Sequence, residues 1–286
     1  MISTYVEALG EIDSQLENIT FLETLINYGR CFRIMTVYSY PLYYEIAFSF
    51  VDAKKQVDLF ERFIKKYSKI EVRRFLDIGC GPSLQLREIA RRGYEAVGLD
   101  LSFEMLEYLK SRAKEEGLKV ETAQADMTNF KLREKVDFAF IMMGTISCVE
   151  SNEKFLRHLD SVADALKRGG LYLIENFRLD WASKDFFGSQ SWTMERNGIQ
   201  VKTTYNIELQ NALTQMLKET IKLEVNDHDK QLVFEESGNM KMIFPQELLA
   251  LVEWNNKFEF IGWFERSRMK KLAKTNRDNL IILRRK

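Results

Sequence analysis

The 286-residue sequence holds only two histidines and three cysteines. Cys31, Cys80 and Cys148 are scattered with no CxxC pair, so neither a zinc site nor a disulfide framework is expected and no metal is implied. A reducing, cytoplasmic setting fits that usage. Lys+Arg and Asp+Glu stand at 42 each, a formal net charge of zero. That disfavours binding nucleic acid through the overall field, though not through a local patch. No run of 18 apolar residues occurs, so no membrane-spanning helix and no membrane partner are predicted. Residues 1–10 lack a basic stretch and no apolar segment follows, so a secretory leader is not expected. Internal repeats and low-complexity segments are also missing. What is present is ordinary globular composition, 45% hydrophobic, in a chain long enough to bury a core without staples.

Three rhythms divide the chain. Residues 1–70 read as helical, with apolar steps of three and four through Leu16, Ile19, Leu22, Leu25 and Ile26, and again through Val57, Phe60, Phe63 and Ile64. Between them lies an aromatic stretch, residues 38–44, where Pro41 discourages a continuous helix. From residue 72, short apolar runs (72–78, 95–99, 119–123, 138–143, 170–175) alternate with helical segments (84–92, 103–116, 153–166). That alternation predicts a parallel sheet covered on both faces. Past Trp192 the period falls to two in 199–209, 214–225 and 231–236, broken by turn residues at Asn197-Gly198, Gln210-Asn211 and 226–229. This predicts an antiparallel meander with one solvated face. A helix at 245–255 and strands at 258–265 and 279–284 close the chain.

The chemistry gathers at strand ends. In Asp77-Ile78-Gly79-Cys80-Gly81-Pro82-Ser83, two glycines let the backbone turn and approach a ligand closely. The helix that follows offers free N–H groups to an anionic group. Asp100, nineteen residues beyond Gly81, stands where a carboxylate can accept from ribose hydroxyls, and Ser102 reads as a helix cap. Asp126 closes the third strand–loop unit. All three carboxylates fall where open α/β sheets bind ligands.

In series, Leu76-Asp77-Ile78-Gly79-Cys80-Gly81, Gly98-Leu99-Asp100-Leu101-Ser102, Met105-Leu106, Ala125-Asp126-Met127 and Leu166-Lys167-Arg168-Gly169-Gly170 resemble the class I S-adenosylmethionine-dependent methyltransferases, over residues 72–177. Ser83 stands where that family usually has a third glycine. The resemblance implies an α/β, Rossmann-like, seven-stranded, mostly parallel sheet with a reversed last strand, an N-terminal helical lid and an antiparallel β insert. It implies the domain layout 1–70 lid, 71–180 with 243–286 core, and 181–242 insert over the active site. It also implies S-adenosyl-L-methionine as cofactor. The glycine loop of Asp77, Gly79, Cys80 and Gly81 would lie under the methionine part, Asp100 would hold the ribose and Asp126 would meet the adenine amine. Leu101, Met105 and Met127 would flank the adenine, and 141–143, Met142 among them, would edge the methionine moiety. In layout the chain is similar to amino-sugar and glycine or sarcosine N-methyltransferases, in which an N-terminal tyrosine reaches the cofactor. Tyr44 matches that position.

A small-molecule acceptor, amine or hydroxyl, follows from the lid and insert, which can enclose a pocket. Gly144, Glu175, Asn176 and Arg178, just past the fourth and fifth strands, are the residues expected to face it. Neither histidine is an evident base: His158, between Arg157 and Asp160, reads as a solvated helix face, and His228 as a surface turn. Cys148 reads as a buried apolar residue. Arg266, Arg268, Lys270, Lys271, Lys274 and Arg277 form a basic last loop, which keeps an RNA or protein methyltransferase as an alternative. A non-catalytic S-adenosylmethionine-binding protein and a nicotinamide dehydrogenase are two more. A homodimer is left open.

Overall fold

The computed structural model describes residues 36–177, 186–274 and 278–286. The predicted helix through 16–26, Cys31, Arg178 and Arg277 lie outside the described residues. Two sheets organise the rest. The larger contains β1 (Arg74–Ile78), β2 (Glu95–Asp100), β3 (Glu121–Gln124), β4 (Val136–Ile141), β5 (Leu166–Glu175), β10 (Phe258–Glu265) and β11 (Asn279–Arg285), in the order β10-β11-β5-β4-β1-β2-β3. β11 runs antiparallel to both of its neighbours, while β1 to β5 are mutually parallel. This is the seven-stranded sheet with a reversed last strand.

Register lines up the functional edge. Ile78 pairs with Leu99 on one side and Ile141 on the other, and Ile141 pairs with Ile174. The residues that follow, Gly79, Asp100, Met142 and Glu175, therefore emerge along one edge. The chain leaves β3 at the end of the sheet and returns as β4 beside β1, so strand order reverses between β1 and β4. A ligand crevice opens at such a switch point.

Helices cover both faces. α1 (Pro41–Ala47) and α2 (Ala53–Tyr67) precede the sheet, and α3 (Leu84–Arg91), α4 (Phe103–Glu115), α5 (Asn152–Ala165) and α6 (Pro245–Asn255) alternate with the strands that follow. Phe60 of α2 packs on Phe140 at a ring distance of 4.9 Å, and Phe63 on Phe264 at 5.0 Å, so α2 lies against the sheet itself. The opposite face buries Phe155, Leu159 and Val162 of α5 and Leu248 and Val252 of α6. The chain does break where Pro41 stands. A single 3₁₀ turn, Val37–Ser39, ends there, and Pro41 takes the first position of α1, where a missing N–H costs no hydrogen bond.

The smaller sheet is the antiparallel meander β6 (Gly188–Arg196), β7 (Ile199–Asn211), β8 (Met216–Asp227) and β9 (Lys230–Lys241), in sequential order. The Asn197-Gly198 turn has φ of 54° and 77°, the left-handed pair that a two-residue hairpin needs. β6 had no counterpart in the predicted strands. Ser189, Gln190, Ser191 and Glu195 leave it little apolar alternation, and tertiary pairing with β7 makes it a strand. One face of the meander buries Val201, Ile221, Leu223, Val225 and Phe234 against Val37, Ile46 and Ala47.

A buried ionic clamp joins α1, α3 and the meander. Glu45, 2% exposed, pairs with Arg87 at 2.6 Å and with Arg196 at 2.5 Å. Trp192 Nε1 donates to the Ala47 carbonyl at 2.7 Å, and the Tyr43 hydroxyl donates to Asp227 at 2.8 Å. No helix among the described residues is long and apolar enough to cross a membrane.

Candidate active site

Gly79 and Gly81 carry the chain out of β1 with φ of 64° and 53°. A Cβ on Gly79 would stand 2.6 Å from Thr145 Cγ2, in the turn after β4, so only glycine lets these two edges of the crevice close. A Cβ on Gly81 would meet nothing nearer than the Tyr44 ring at 4.0 Å. Tyr44 thus stands over the loop.

Asp100 holds the loop. Its Oδ2 accepts the Gly81 N–H at 2.7 Å and its Oδ1 accepts the Ser102 N–H at 2.8 Å. A carboxylate has about four lone-pair sites, so acceptor capacity remains for hydroxyls. Ser83, in the position of the missing third glycine, donates to Asp77 Oδ2 at 2.6 Å and caps α3 by accepting the Leu86 N–H at 3.1 Å. The hydroxyl thereby fixes Asp77 and the helix start together. Cys80 is a buried filler against Leu86 and Leu106, and burial pushes its thiol well up.

Three carboxyls, Asp77, Asp100 and Glu175, stand close together at this loop. Burial pushes Asp77 well above the usual carboxylate range, and the neighbouring Asp100 and Glu175 push it further. Burial also raises Asp100 and Glu175. A ligand bearing cationic groups would relieve that repulsion.

The adenine-side residues divide by exposure. Leu101 is 71% exposed beside Asp100, an apolar surface a flat ring could cover. Met105 is buried and Met127 half-buried. Asp126 is exposed, and its Oδ1 accepts from Thr128 N at 2.7 Å and Thr128 Oγ1 at 2.8 Å. Its Oδ2 has no partner among the described residues. Met142 is buried on the sheet edge.

Past β4 and β5, Gly144 is buried with φ 77°. Glu175 is 1% exposed. It accepts the Met143 N–H at 2.8 Å and the Gln56 amide at 3.3 Å, with the Arg266 guanidinium 3.8 Å away. Those are the contacts of a loop anchor. Asn176, at φ 55°, keeps a buried Oδ1 with no hydrogen-bond partner among the described residues.

Two readings need correction. His158 is fully buried, because it shares the inner face of α5 with Phe155, Leu159 and Val162, and the flanking charges occupy the other face. Cys148 is exposed, because the 3₁₀ turn Thr145–Cys148 turns it outward while Ile146 fills the core.

Tyr205, Glu219 and Glu236 were not singled out in the sequence. Tyr205 pairs with Ile221 and Ile221 with Glu236, so these side chains and Glu219 share the inner face of the meander with buried Thr203 and the apolar residues. The Tyr205 hydroxyl donates to Glu219 Oε2. Burial pushes the Tyr38 and Tyr44 phenols far up, and the Glu219 charge adds to both. Glu236 is raised by burial and keeps one oxygen, Oε2, without a hydrogen-bond partner among the described residues. The signal was available: acidic residues interrupting the buried half of a period-two pattern.

Comparison with known proteins follows the same lines. Residues 75–170 match the family model described as a methyltransferase domain. A dTDP-3-amino-3,4,6-trideoxy-alpha-D-glucopyranose N,N-dimethyltransferase of Streptomyces venezuelae is 26% identical over 132 residues, 44% of this chain and 54% of its own. The chain spans 62% and 54% of the length of two curated relatives it matches. A S-adenosylmethionine-dependent methyltransferase from Clostridium acetobutylicum ATCC 824 superimposes with a TM-score of 0.69 at 17% identity, over 85% of this chain and 95% of that one. The sugar N-methyltransferase KedS8 from Streptoalloteichus sp ATCC 53650 does so at 0.65 and 18%, over 82% and 88%. At such identities the likeness is one of fold. Residues 75–170 match a methyltransferase domain, and the chain shares its fold with S-adenosylmethionine-dependent methyltransferases.

Proposed function

We propose that this chain transfers a methyl group from S-adenosylmethionine to a small-molecule acceptor. The observation that carries this reading is the Gly79–Gly81 loop tied to Asp100 and ringed by buried carboxyls. When bound, the cofactor supplies an electrophilic methyl group. Gly79 and Gly81 would lie under its methionine part, Asp100 would accept from its ribose, and Leu101, Met105 and Met127 would flank its adenine. Asp77 and Glu175 would supply negative charge near its cationic groups. Tyr44 would close the site from above and limit the access of water.

The acceptor would lie between Gly144, Asn176 and the inner face of the meander. An amine suits that face better than a hydroxyl. Glu219 and Glu236 would attract a cationic group into an apolar surface, and a carboxylate there could take the proton an ammonium must lose before it attacks. Named relatives include both kinds, an amino-sugar N,N-dimethyltransferase and ubiquinone-biosynthesis O-methyltransferases. The basic last loop supports an RNA acceptor less well. Arg266 pairs with Asp278 at 2.9 Å and Arg268 with Glu265 at 3.2 Å, so part of its charge is neutralised locally.

Calorimetric titration with S-adenosylmethionine and with NAD tests the cofactor, and tighter binding of NAD would sink the reading. Release of S-adenosylhomocysteine over pools of amines and alcohols, with mass detection of the methylated product, tests the acceptor. A chain that binds the cofactor but turns over no pool member would be a binding protein.

A further inference from the structure

We propose that His158 and Ser161 are positioning residues that set the chain's selectivity for the 6-amino group of adenine, acting from beneath the Asp126 turn. The proposal rests on the cofactor reading above, extended by the resemblance's implication that Asp126 would meet that amine. His158 and Ser161 are three residues apart on α5 and so share a face. His158 Nδ1 lies 2.9 Å from the Met127 carbonyl, and the Ser161 hydroxyl donates to the Thr128 carbonyl at 3.3 Å. Two successive carbonyls of the turn are thus held by one helix.

The tautomer follows from the partners. A carbonyl only accepts, so Nδ1 carries the proton. Nε2 is then the acceptor for the Tyr172 hydroxyl at 2.6 Å. Tyr172 is itself fully buried in β5, which gives the ring a fixed backing. Burial pulls His158 down to about 4, so the imidazole is neutral at ordinary pH.

The consequence lies at the other end of the turn. Thr128 occupies Asp126 Oδ1 with both its N–H and its hydroxyl. Oδ2 is left as the acceptor for an exocyclic amine, and its position depends on a backbone that α5 holds in place. A loosened turn would still present a carboxylate but would discriminate poorly between an amine and a carbonyl at the same ring position. Such a site depends on geometry held by its surroundings.

The test compares S-adenosylhomocysteine with S-inosylhomocysteine, which carries a 6-oxo group instead of the amine. Wild type should favour the adenosyl compound by at least tenfold. His158→Phe with Ser161→Ala should cut that ratio to two- or threefold, raise KM for the cofactor and leave kcat within about twofold. His158→Asn, whose amide can reproduce the Nδ1 donor, should restore much of the ratio, which a merely structural role would not predict. If the Phe variant fails to fold, Ser161→Ala and Tyr172→Phe, which keep the ring, should each lower the ratio. An unchanged ratio in these folded variants overturns the assignment of His158 and Ser161 alone. A wild type that binds neither compound, or does not distinguish them, overturns the adenine reading and this proposal with it.

Discussion

The Gly81 N–H donates to Asp100 Oδ2 across 2.7 Å, tying the turn after β1 to the end of β2. The same carboxylate would therefore shape the loop and receive the ribose. Asp100→Asn keeps the side-chain size but removes the charge and one of the two acceptor oxygens. Hydrogen bonds to charged groups contribute about 1.5–3 kcal/mol, so cofactor affinity should fall by roughly ten- to a hundredfold. Calorimetry would measure it. A variant that folds and binds the cofactor as tightly as wild type would remove Asp100 from the site.

Gly79→Ala should destabilise the chain more than Gly81→Ala. Both positions have positive φ, which costs a residue with a Cβ about 1–2 kcal/mol. Only Gly79 adds a steric term, because its Cβ would sit 2.6 Å from Thr145 Cγ2. Serine lacks that methyl. Thr145→Ser should therefore recover part of the loss in Gly79→Ala and little in Gly81→Ala, a coupling readable from denaturant melts in a double-mutant cycle. Equal effects of Thr145→Ser in both backgrounds would contradict the contact.

Cofactor binding should release protons. Burial raises Asp77, Asp100 and Glu175 in the ligand-free chain. S-adenosylmethionine brings an ammonium and a sulfonium against one carboxylate, and nearby positive charge lowers carboxyl pKa values. Affinity should accordingly rise with pH from the usual carboxylate range up to the raised values, then level off. Ligand-free stability runs the other way. A raised acid holds its proton in the folded state longer than in the unfolded, so stability falls as pH climbs through the folded pKa. Titration in buffers of different ionisation enthalpy would count the protons. Net proton uptake would contradict the scheme.

Sequence showed most of the sheet because its strands are continuous apolar runs: Phe138-Ala139-Phe140-Ile141 can only be a buried strand between turn signals. The loop was legible for a local reason, two glycines and an acid at fixed spacing. What failed to show was side-chain direction. His158 looked solvated because Arg157 and Asp160 flank it, yet the spacing Phe155, His158, Leu159, Val162 already placed it on the apolar face. Glu219 and Glu236 were passed over although each falls on the buried half of its period-two pattern, and the pairing of β8 with β9 puts both on the inner face. β6 depended wholly on its neighbour. Register and tertiary pairing are non-local, and period alone does not supply them.

Removing Glu45 should loosen the meander from the helices. The carboxylate is 2% exposed and holds Arg87 and Arg196 on separate oxygens. An uncompensated buried charge costs about 3–5 kcal/mol, but Arg87 keeps Glu116 at 2.6 Å and Arg196 reaches solvent, so the loss should fall below that range. Glu45→Gln should show that loss in melts, with faster hydrogen exchange along β6. Glu45→Leu combined with Arg87→Met should be milder than either change alone, because no unpaired charge is buried between them. A double variant as unstable as the sum of the singles would mean that packing, rather than charge pairing, dominates the clamp.

His158 should make the chain acid-sensitive in a defined window. Its pKa falls from the ordinary 6.5 to about 4 on burial, so below pH 6.5 the unfolded chain takes up a proton that the folded chain refuses. Stability is therefore lost as pH falls from 6.5 towards 4 and changes no further, from this group, below that. At 1.36 kcal/mol per unit the full span comes to roughly 3 kcal/mol. The raised carboxyls tilt the curve in the opposite sense, so wild type alone would not isolate the effect. His158→Phe removes the titrating group while keeping an aromatic ring in the core. The difference between the two stability curves should widen steadily between pH 4 and 6.5, with wild type gaining relative to the variant as pH rises. His228, the second of the two histidines, is exposed in the β8–β9 turn and is common to both proteins. Parallel curves across this window would show that His158 titrates as it does in the unfolded chain, and that burial does not hold it neutral.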